Sequence, residues 1–283
     1  MSEHGNKTHT ADPQHPQEPT TGETREGAAH SSMRKHALRA VAVLLAVLGI
    51  CGCGYVIWEQ YHVFKAQQQM QGADVPQNPV VQEAEELPDN PIDFSALWEA
   101  NVESYAWIYI PGAHINAPVQ QSAMDDAFYL THDQDRNPSP VGCAYTQLAN
   151  AQDFSDPVTV IYGHDTAGVF ANLHYFEDAD FFAQNGEFYI YTPGHILTYT
   201  VASAYQYDDR HILNSFDLSK PSVREEYFAS VMNPTSMLRN VREGVELTAD
   251  SKIVQLSTCM STQPNTTQRY LVTGVLTHDQ ETN

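Results

Sequence analysis

Positive charge and cysteine are both scarce in this sequence. Its 283 residues include 14 lysines and arginines against 35 aspartates and glutamates, a formal net charge of -21. Such a surface repels nucleic acid and anionic lipid, so we expect no nucleic-acid partner. Four cysteines are too few for a disulfide framework. Zinc-type Cys/His spacing, a Gly-rich phosphate loop and a G-x-S-x-G segment are all missing, so the sequence predicts no cofactor and no metal.

Long apolar runs are also rare, and the only one covers residues 40–58. These nineteen residues carry no charge and as a helix could cross roughly 30 Å of hydrocarbon. The basic residues that flank the run lie mainly before it, at Arg34, Lys35 and Arg39. The positive-inside rule then predicts a single-pass cell-membrane protein with a cytoplasmic N-terminus and an extracellular C-terminal part. Residues 1–39 are mostly polar and predict a disordered cytoplasmic tail.

Two other interpretations of the apolar run are weaker. A cleaved signal peptide rarely has a polar region of about 39 residues before its apolar segment. Lipidation at Cys53 would use Ile50-Cys51-Gly52-Cys53, which is a poor match to a lipoprotein-type site. With an uncleaved anchor, both of these cysteines lie within the membrane as small apolar residues.

The remainder divides into a linker and one domain. Residues 59–90 contain the Gln-rich AQQQMQGADVPQNP and the acidic QEAEELPDNP, which predict an extracellular linker. The domain covers 91–283 and opens with an amphipathic helix in IDFSALWEAN, where Ser95 is the expected cap. A second helix is predicted over 222–232, in SVREEYFASVM.

Most of the domain is predicted to be β-strand. WIYIPGAHINAPVQQ gives two short strands around Pro111-Gly112, a pair suited to a type II turn. Further runs are rich in Val, Ile, Tyr and Thr: VGCAYTQL, DPVTVIYGH, FYIYTP, HILTYTVASAYQY, DSKIVQLSTC and QRYLVTGVL. Many short strands with one or two helices predict a mostly β fold, a single barrel or sandwich.

Cys259 is the candidate nucleophile. It ends the predicted strand KIVQLSTC, and Arg269 opens the next strand ten residues later. An antiparallel return would bring the arginine back to within about 5 Å, where it could stabilise a thiolate or an oxyanion. Cys143 lies in VGCAYT, inside a predicted strand, and is interpreted as a structural thiol; a disulfide between it and Cys259 remains an alternative.

A thiolate also needs a base, and His164 has the most suitable setting among the seven histidines of the domain. It follows the apolar strand VTVIY and a glycine in VTVIYGHD, so it is placed where a rigid strand stops and the chain turns.

Three features follow one another along the chain: VIYGHD, then QLSTC, then an arginine ten residues after the cysteine. Together they resemble the sortases, which are membrane-anchored cysteine transpeptidases of mainly Gram-positive bacteria. The order of segments over about 190 residues is most similar to class B. The resemblance implies the sortase β-barrel, with Cys259 as nucleophile, His164 as general acid and base, and Arg269 holding substrate and oxyanion. The family signature has Thr where this chain has Gln255.

Four further residues are candidates for substrate binding. Ser257 and Thr258 are expected to form the pocket wall. Class B members often carry Asn after the histidine and an acidic residue two positions after the cysteine, where this chain has Asp165 and Ser261. Asp165 is therefore either a residue that tunes His164 or a solvated loop acid.

The resemblance also implies a reaction and partners. A secreted protein bearing a C-terminal sorting signal would be cleaved after Thr through a thioester and transferred to an amine, on a peptidoglycan cross-bridge or on a pilin lysine. Two alternatives remain: a surface cysteine protease that hydrolyses the same bond, and a non-catalytic adhesion or scaffold domain tethered to the membrane.

Overall fold

The computed structural model describes residues 23–71, 87–261 and 266–283. The chain forms two compact units, one ending at Tyr55 and one from Val56 to Asn283. The α-helices are α1 (Glu23–Gln71), α2 (Phe94–Ala100), α3 (Ala179–Gln184), α4 (Ile212–Ser215) and α5 (Pro221–Met232), and two 3-10 helices cover Phe128–Leu130 and Ala171–Glu177.

Helix α1 contains the long apolar run. Its part from Lys35 to Gln71 includes a window with a mean hydropathy of 2.5, of which none is buried, so the helix is apolar enough to span a membrane. The helix is longer than the run. Residues 23–39 of the predicted tail and 59–71 of the predicted linker are helical, while 1–22 and 72–86 lie outside the described residues.

The second unit is built on a closed β-barrel. Eight strands close in the order β5-β1-β2-β3-β4-β8-β9-β6, with β6 pairing back to β5, and β7 pairs with β6 outside this ring. The strands are β1 (Ser104–Ile110), β2 (Ile115–Gln121), β3 (Tyr145–Thr146), β4 (Val158–Tyr162), β5 (Glu187–Thr192), β6 (His195–Asp208), β7 (Arg239–Val241), β8 (Ile253–Cys259) and β9 (Gln268–Glu281). The predicted mostly β barrel, with an N-terminal helix and a helix between late strands, is confirmed.

The barrel interior is filled by large side chains opposite small ones. Phe188 of β5 stacks on Tyr199 of β6, with ring centroids 5.1 Å apart. Gly274 of β9 lies against this pair: a Cβ built there would lie 2.3 Å from Cε1 of Phe188. The position therefore has no room for a side chain, and the aromatic pair takes the volume instead.

Helix boundaries follow the predictions with one correction. Helix α2 is capped by Asp93, whose carboxylate accepts from the Ala96 amide, and not by Ser95. An aspartate before the first turn also suits the positive end of the helix dipole. Helix α5 buries Tyr227 and Phe228 in a second apolar cluster on the outer face of the barrel.

Two local predictions were wrong. The turn between β1 and β2 is closed by a bond from the His114 amide to the Pro111 carbonyl, and His114, not Gly112, has the positive φ of 53°, so it is not type II. Gly112 instead lies close to the Asn185 side chain, whose Oδ1 would be 1.8 Å from a Cβ built at this position. Strand β3 has only two residues, so Cys143 precedes a strand instead of lying within one.

Within the second unit, the last turns of α1 pack against the barrel. Lys65 Nζ lies 2.7 Å from an Asp133 carboxylate oxygen and 2.9 Å from one of Asp135, and His62 is buried. A Cβ on Gly168 would lie 2.7 Å from the Gln67 amide nitrogen. This part of the predicted linker is therefore a structured element of the barrel unit.

We expect Gly274→Ala to lower the free energy of unfolding by about 1–3 kcal/mol, the usual cost of overpacking a core, because the new methyl meets the Phe188 ring. Gly186→Ala is the matched control, since its Cβ would make only ordinary contacts at 3.4 Å or more, with the Arg242 side chain. Urea unfolding measures both. Equal midpoints for the two variants would contradict the packing described for the interior.

Candidate active site

Three adjacent strands bring the candidate residues together at one end of the barrel. Strands β4 and β8 run parallel, with Tyr162 beside Ser257. Strands β8 and β9 run antiparallel, and their register places Cys259 directly opposite Arg269. This is the cross-strand neighbour that the ten-residue spacing predicts. His164 follows the end of β4, two residues after Tyr162.

A cavity of about 340 Å³ at this end is lined by all three candidates, Cys259, His164 and Arg269. Ser257 and Thr258 also line it, as the sequence predicts for the pocket wall. The Thr258 side chain is 1% exposed, and its hydroxyl has no hydrogen-bond partner in the described part of the chain. A buried hydroxyl without a partner costs free energy, so Thr258 is an unsatisfied polar group behind the wall.

The turn that carries His164 depends on the glycine before it. A Cβ on Gly163 would lie 2.5 Å from the Phe170 ring, so the close approach of this ring requires glycine. The His164 carbonyl accepts from the amides of Thr166 (2.8 Å) and Phe170 (3.1 Å), which closes the turn. Nε2 of the His164 side chain lies 2.8 Å from the Leu130 carbonyl oxygen. Because a carbonyl only accepts, Nε2 carries the hydrogen in this arrangement.

Arg269 is held by the backbone beside it. Its Nη1 donates to the carbonyls of Thr266 (2.9 Å) and Gln268 (3.1 Å). Those two bonds use part of the donor set of one guanidinium, which has five N–H groups in all. The remaining donors allow the side chain to bind an anion or a peptide oxygen while its position stays fixed.

The other two candidates lie away from the cavity wall. Asp165 is next to His174, with 3.8 Å between Oδ1 and Nε2, and its side chain is 16% exposed. Burial raises the pKa of the Asp165 carboxyl, and the nearby imidazole opposes that shift. Ser261 follows the end of β8 by two residues, and neither it nor Asp165 is among the described residues that line the cavity.

Sequence reasoning missed two groups of residues here. His174, on the 3-10 helix after His164, donates from Nε2 to the Cys259 carbonyl at 3.0 Å. The cavity wall also includes stacked Tyr145 and Tyr162, whose ring centroids are 5.5 Å apart, and the segment 207–212 at the end of β6. No local motif marks these residues, because their role comes only from pairing between distant strands.

Neither metal ligation nor disulfide bonding is visible at the site. No group of three or more His, Cys, Asp or Glu side chains converges as metal ligands would among the residues described. All four cysteines are free, so the Cys143–Cys259 disulfide left open by the sequence is not formed.

Comparisons with known proteins agree with this architecture. The family model described as Sortase domain matches residues 108–277. Sortase B of Listeria monocytogenes is 26% identical over 184 residues, which cover 64% of this chain and 72% of that protein. The structure of Clostridium perfringens sortase B is 25% identical with a TM-score of 0.58, covering 66% of this chain and 100% of that one. A Streptococcus pyogenes class B sortase involved in pilus biogenesis is 26% identical with a TM-score of 0.56, covering 66% and 98%.

The fold and the cavity thus define a class of protein: a closed β-barrel with a cysteine at the end of an interior strand and an arginine opposite it. The chain belongs to the sortase family, and its structural neighbours are class B sortases.

The two thiols of the barrel unit should differ in reactivity. Burial raises the pKa of the Cys143 thiol well above its usual range, with Asp133 and Asp135 adding to the shift. A raised pKa leaves little thiolate at pH 8, so iodoacetamide should alkylate Cys143 more slowly than Cys259, with a rate that still climbs above pH 9. Mass spectrometry of the two peptides measures this. Faster modification of Cys143 at pH 8 would contradict the environment described for it.

Proposed function

We propose that this protein is a membrane-anchored cysteine transpeptidase that cleaves a C-terminal sorting signal after Thr and transfers the acyl group to an amine. The observation that carries the proposal is the shared cavity, lined by Cys259, His164 and Arg269 together. A nucleophile, a group able to move a proton and a fixed cation are the parts that acyl transfer needs.

The first half of the reaction forms an acyl-enzyme. Cys259 Sγ, as thiolate, attacks the carbonyl carbon of the substrate Thr and gives a tetrahedral intermediate. Arg269 stabilises its oxyanion with the donors that the backbone carbonyls leave free. The C–N bond then breaks, the departing amine takes a proton from His164, and a thioester remains on Cys259.

The second half releases the product. An incoming amine attacks the thioester carbon, His164 takes its proton, and the C–S bond breaks to give a new amide and the Cys259 thiolate. The acceptor class is an amine on a peptidoglycan cross-bridge or on a pilin lysine. Ser257 and Thr258 would contact the substrate from the cavity wall.

We also propose the topology that the sequence predicts, with 40–58 as the anchor, 1–39 in the cytoplasm and the catalytic domain, 91–283, outside the cell. The apolar window of α1, which is not buried, supports the anchor. Exported proteins bearing sorting signals would then meet the cavity at the outer membrane face. Of the predicted linker, 59–90, residues 59–71 are helical and belong to the barrel unit.

Cys259→Ala should abolish both cleavage of a Thr-containing sorting peptide and formation of an acyl-enzyme, because no other described thiol lines the cavity. The full-length chain in detergent is incubated with the peptide, with and without an added amine, and products are identified by mass spectrometry. Cys143→Ala is the matched control and should retain activity.

The amine separates transfer from hydrolysis. A product that carries the added amine supports transfer, whereas only free acid at saturating amine would show a protease. Activity that persists in Cys259→Ala would refute the thiol mechanism.

Arg269→Gln should lower kcat by roughly 10²–10³-fold, the effect expected for loss of an oxyanion donor. Arg239→Gln is the matched control, since Arg239 also donates to backbone carbonyls, of Pro234 and Ser236, but does not line the cavity. Steady-state kinetics on the sorting peptide measures both variants. A smaller loss for Arg269→Gln than for Arg239→Gln would contradict the role of Arg269.

A further inference from the structure

Strand β8 extends past its parallel neighbour, and this affects the backbone of the nucleophile. Pairing of β4 with β8 ends at Tyr162 and Ser257, and the Gly163 amide donates to the Ser257 carbonyl at 3.0 Å. The chain then turns away at His164. Two residues farther along β8, the Cys259 carbonyl accepts from a side chain instead, Nε2 of His174 at 3.0 Å. The His174 side chain thus supplies the hydrogen-bond donor that a longer β4 would have supplied from its backbone.

The imidazole of His174 is fixed on several sides. Its Nδ1 lies 2.5 Å from Oε1 of Glu177, and its ring stacks on Tyr270 with centroids 5.1 Å apart and planes at 24°. The side chain is 22% exposed. Tyr270 follows Arg269 in β9 and its side chain is buried, so the ring of His174 packs on a rigid surface.

The bond to Cys259 fixes the position of one ring proton: a carbonyl oxygen only accepts, so Nε2 of His174 is the donor. The groups that face the imidazole are the carboxylates of Glu177 and Asp165 and the ring of Tyr270.

We propose that His174 is a positioning residue for the nucleophile: its ring, bonded to Glu177 and to the Cys259 carbonyl, fixes the end of β8 and with it the position of Cys259. The proposal rests on the proposed function, in which Cys259 attacks the substrate. Asp165, the carboxylate that follows His164, also faces this second histidine.

The test compares two substitutions in the full-length chain. His174→Phe keeps an aromatic ring on Tyr270 but removes both ring nitrogens, and His174→Gln restores one amide donor towards the Cys259 carbonyl. Two rates are measured: alkylation of Cys259 by iodoacetamide, followed by mass spectrometry from pH 5 to 10, and kcat for peptide transfer. The alkylation rate needs no substrate, so it tests positioning even if the proposed reaction is wrong.

We expect His174→Phe to lower kcat by roughly tenfold to a hundredfold with little change in KM, since a misplaced nucleophile affects chemistry more than binding. His174→Gln should recover most of kcat and most of the alkylation rate of Cys259, because it restores a donor to the Cys259 carbonyl. A purely structural role would lower thermal stability in both variants and would not separate their rates in this way.

Two results would overturn the proposal: parent-like rates in His174→Phe, or equal slowing in the Phe and Gln variants. If His174→Phe does not fold, Glu177→Leu and Glu177→Gln decide, because the first removes the acceptor of Nδ1 and the second keeps an amide oxygen there. Slower alkylation in the Leu variant alone supports the proposal, and no slowing in either refutes it. A parent chain that is alkylated normally but transfers nothing would instead refute the proposed function.

Discussion

The candidate site depends on strand β8 being paired on both sides. Its parallel pairing with β4 and antiparallel pairing with β9 bring three segments to the same point: the end of β8 with Cys259, the turn after β4 with His164, and the start of β9 with Arg269. A shift of one residue would turn Cys259 to the opposite face. Burial on both faces prevents this shift, since Val254 and Leu256 lie in the interior cluster while Ile253 lies in the cluster beneath α5.

Helix α5 also explains how this chain accommodates a departure from the family signature. Gln255, at the position where the signature has Thr, is fully buried. Its Oε1 accepts from the Tyr227 hydroxyl at 2.6 Å, and its Nε2 donates to Thr273 at 3.2 Å. A buried amide is tolerated when its polar atoms are bonded, and these bonds connect α5 to both β8 and β9. The substitution therefore adds a polar link between α5, β8 and β9.

Local sequence pattern was sufficient for what is local in the fold. Runs rich in Val, Ile, Tyr and Thr predicted β8 and β9, and the ten-residue spacing predicted that Arg269 faces Cys259, because one strand and one loop determine that geometry. The shortness of β3 and the existence of β7 were not predicted, since distant partners decide them. The full length of α1 was not predicted either. His174 was missed for the same reason: it lies 85 residues from the carbonyl that it binds.

The last turns of α1 also restrain the site, through the loop that follows Leu130 at the cavity wall. The Lys65 ammonium binds the carboxylates of both Asp133 and Asp135. Lysine and arginine are scarce in this chain, and here one cation serves two carboxylates. Asp133 also accepts from the Asp135 and Asn137 amides, which orders the loop that begins after Leu130. Because the Leu130 carbonyl is the partner of His164, whatever fixes this loop also restrains the imidazole. The two histidines near Cys259 are thus held through different contacts: His164 by a loop that α1 restrains, and His174 by Glu177 and the ring of Tyr270.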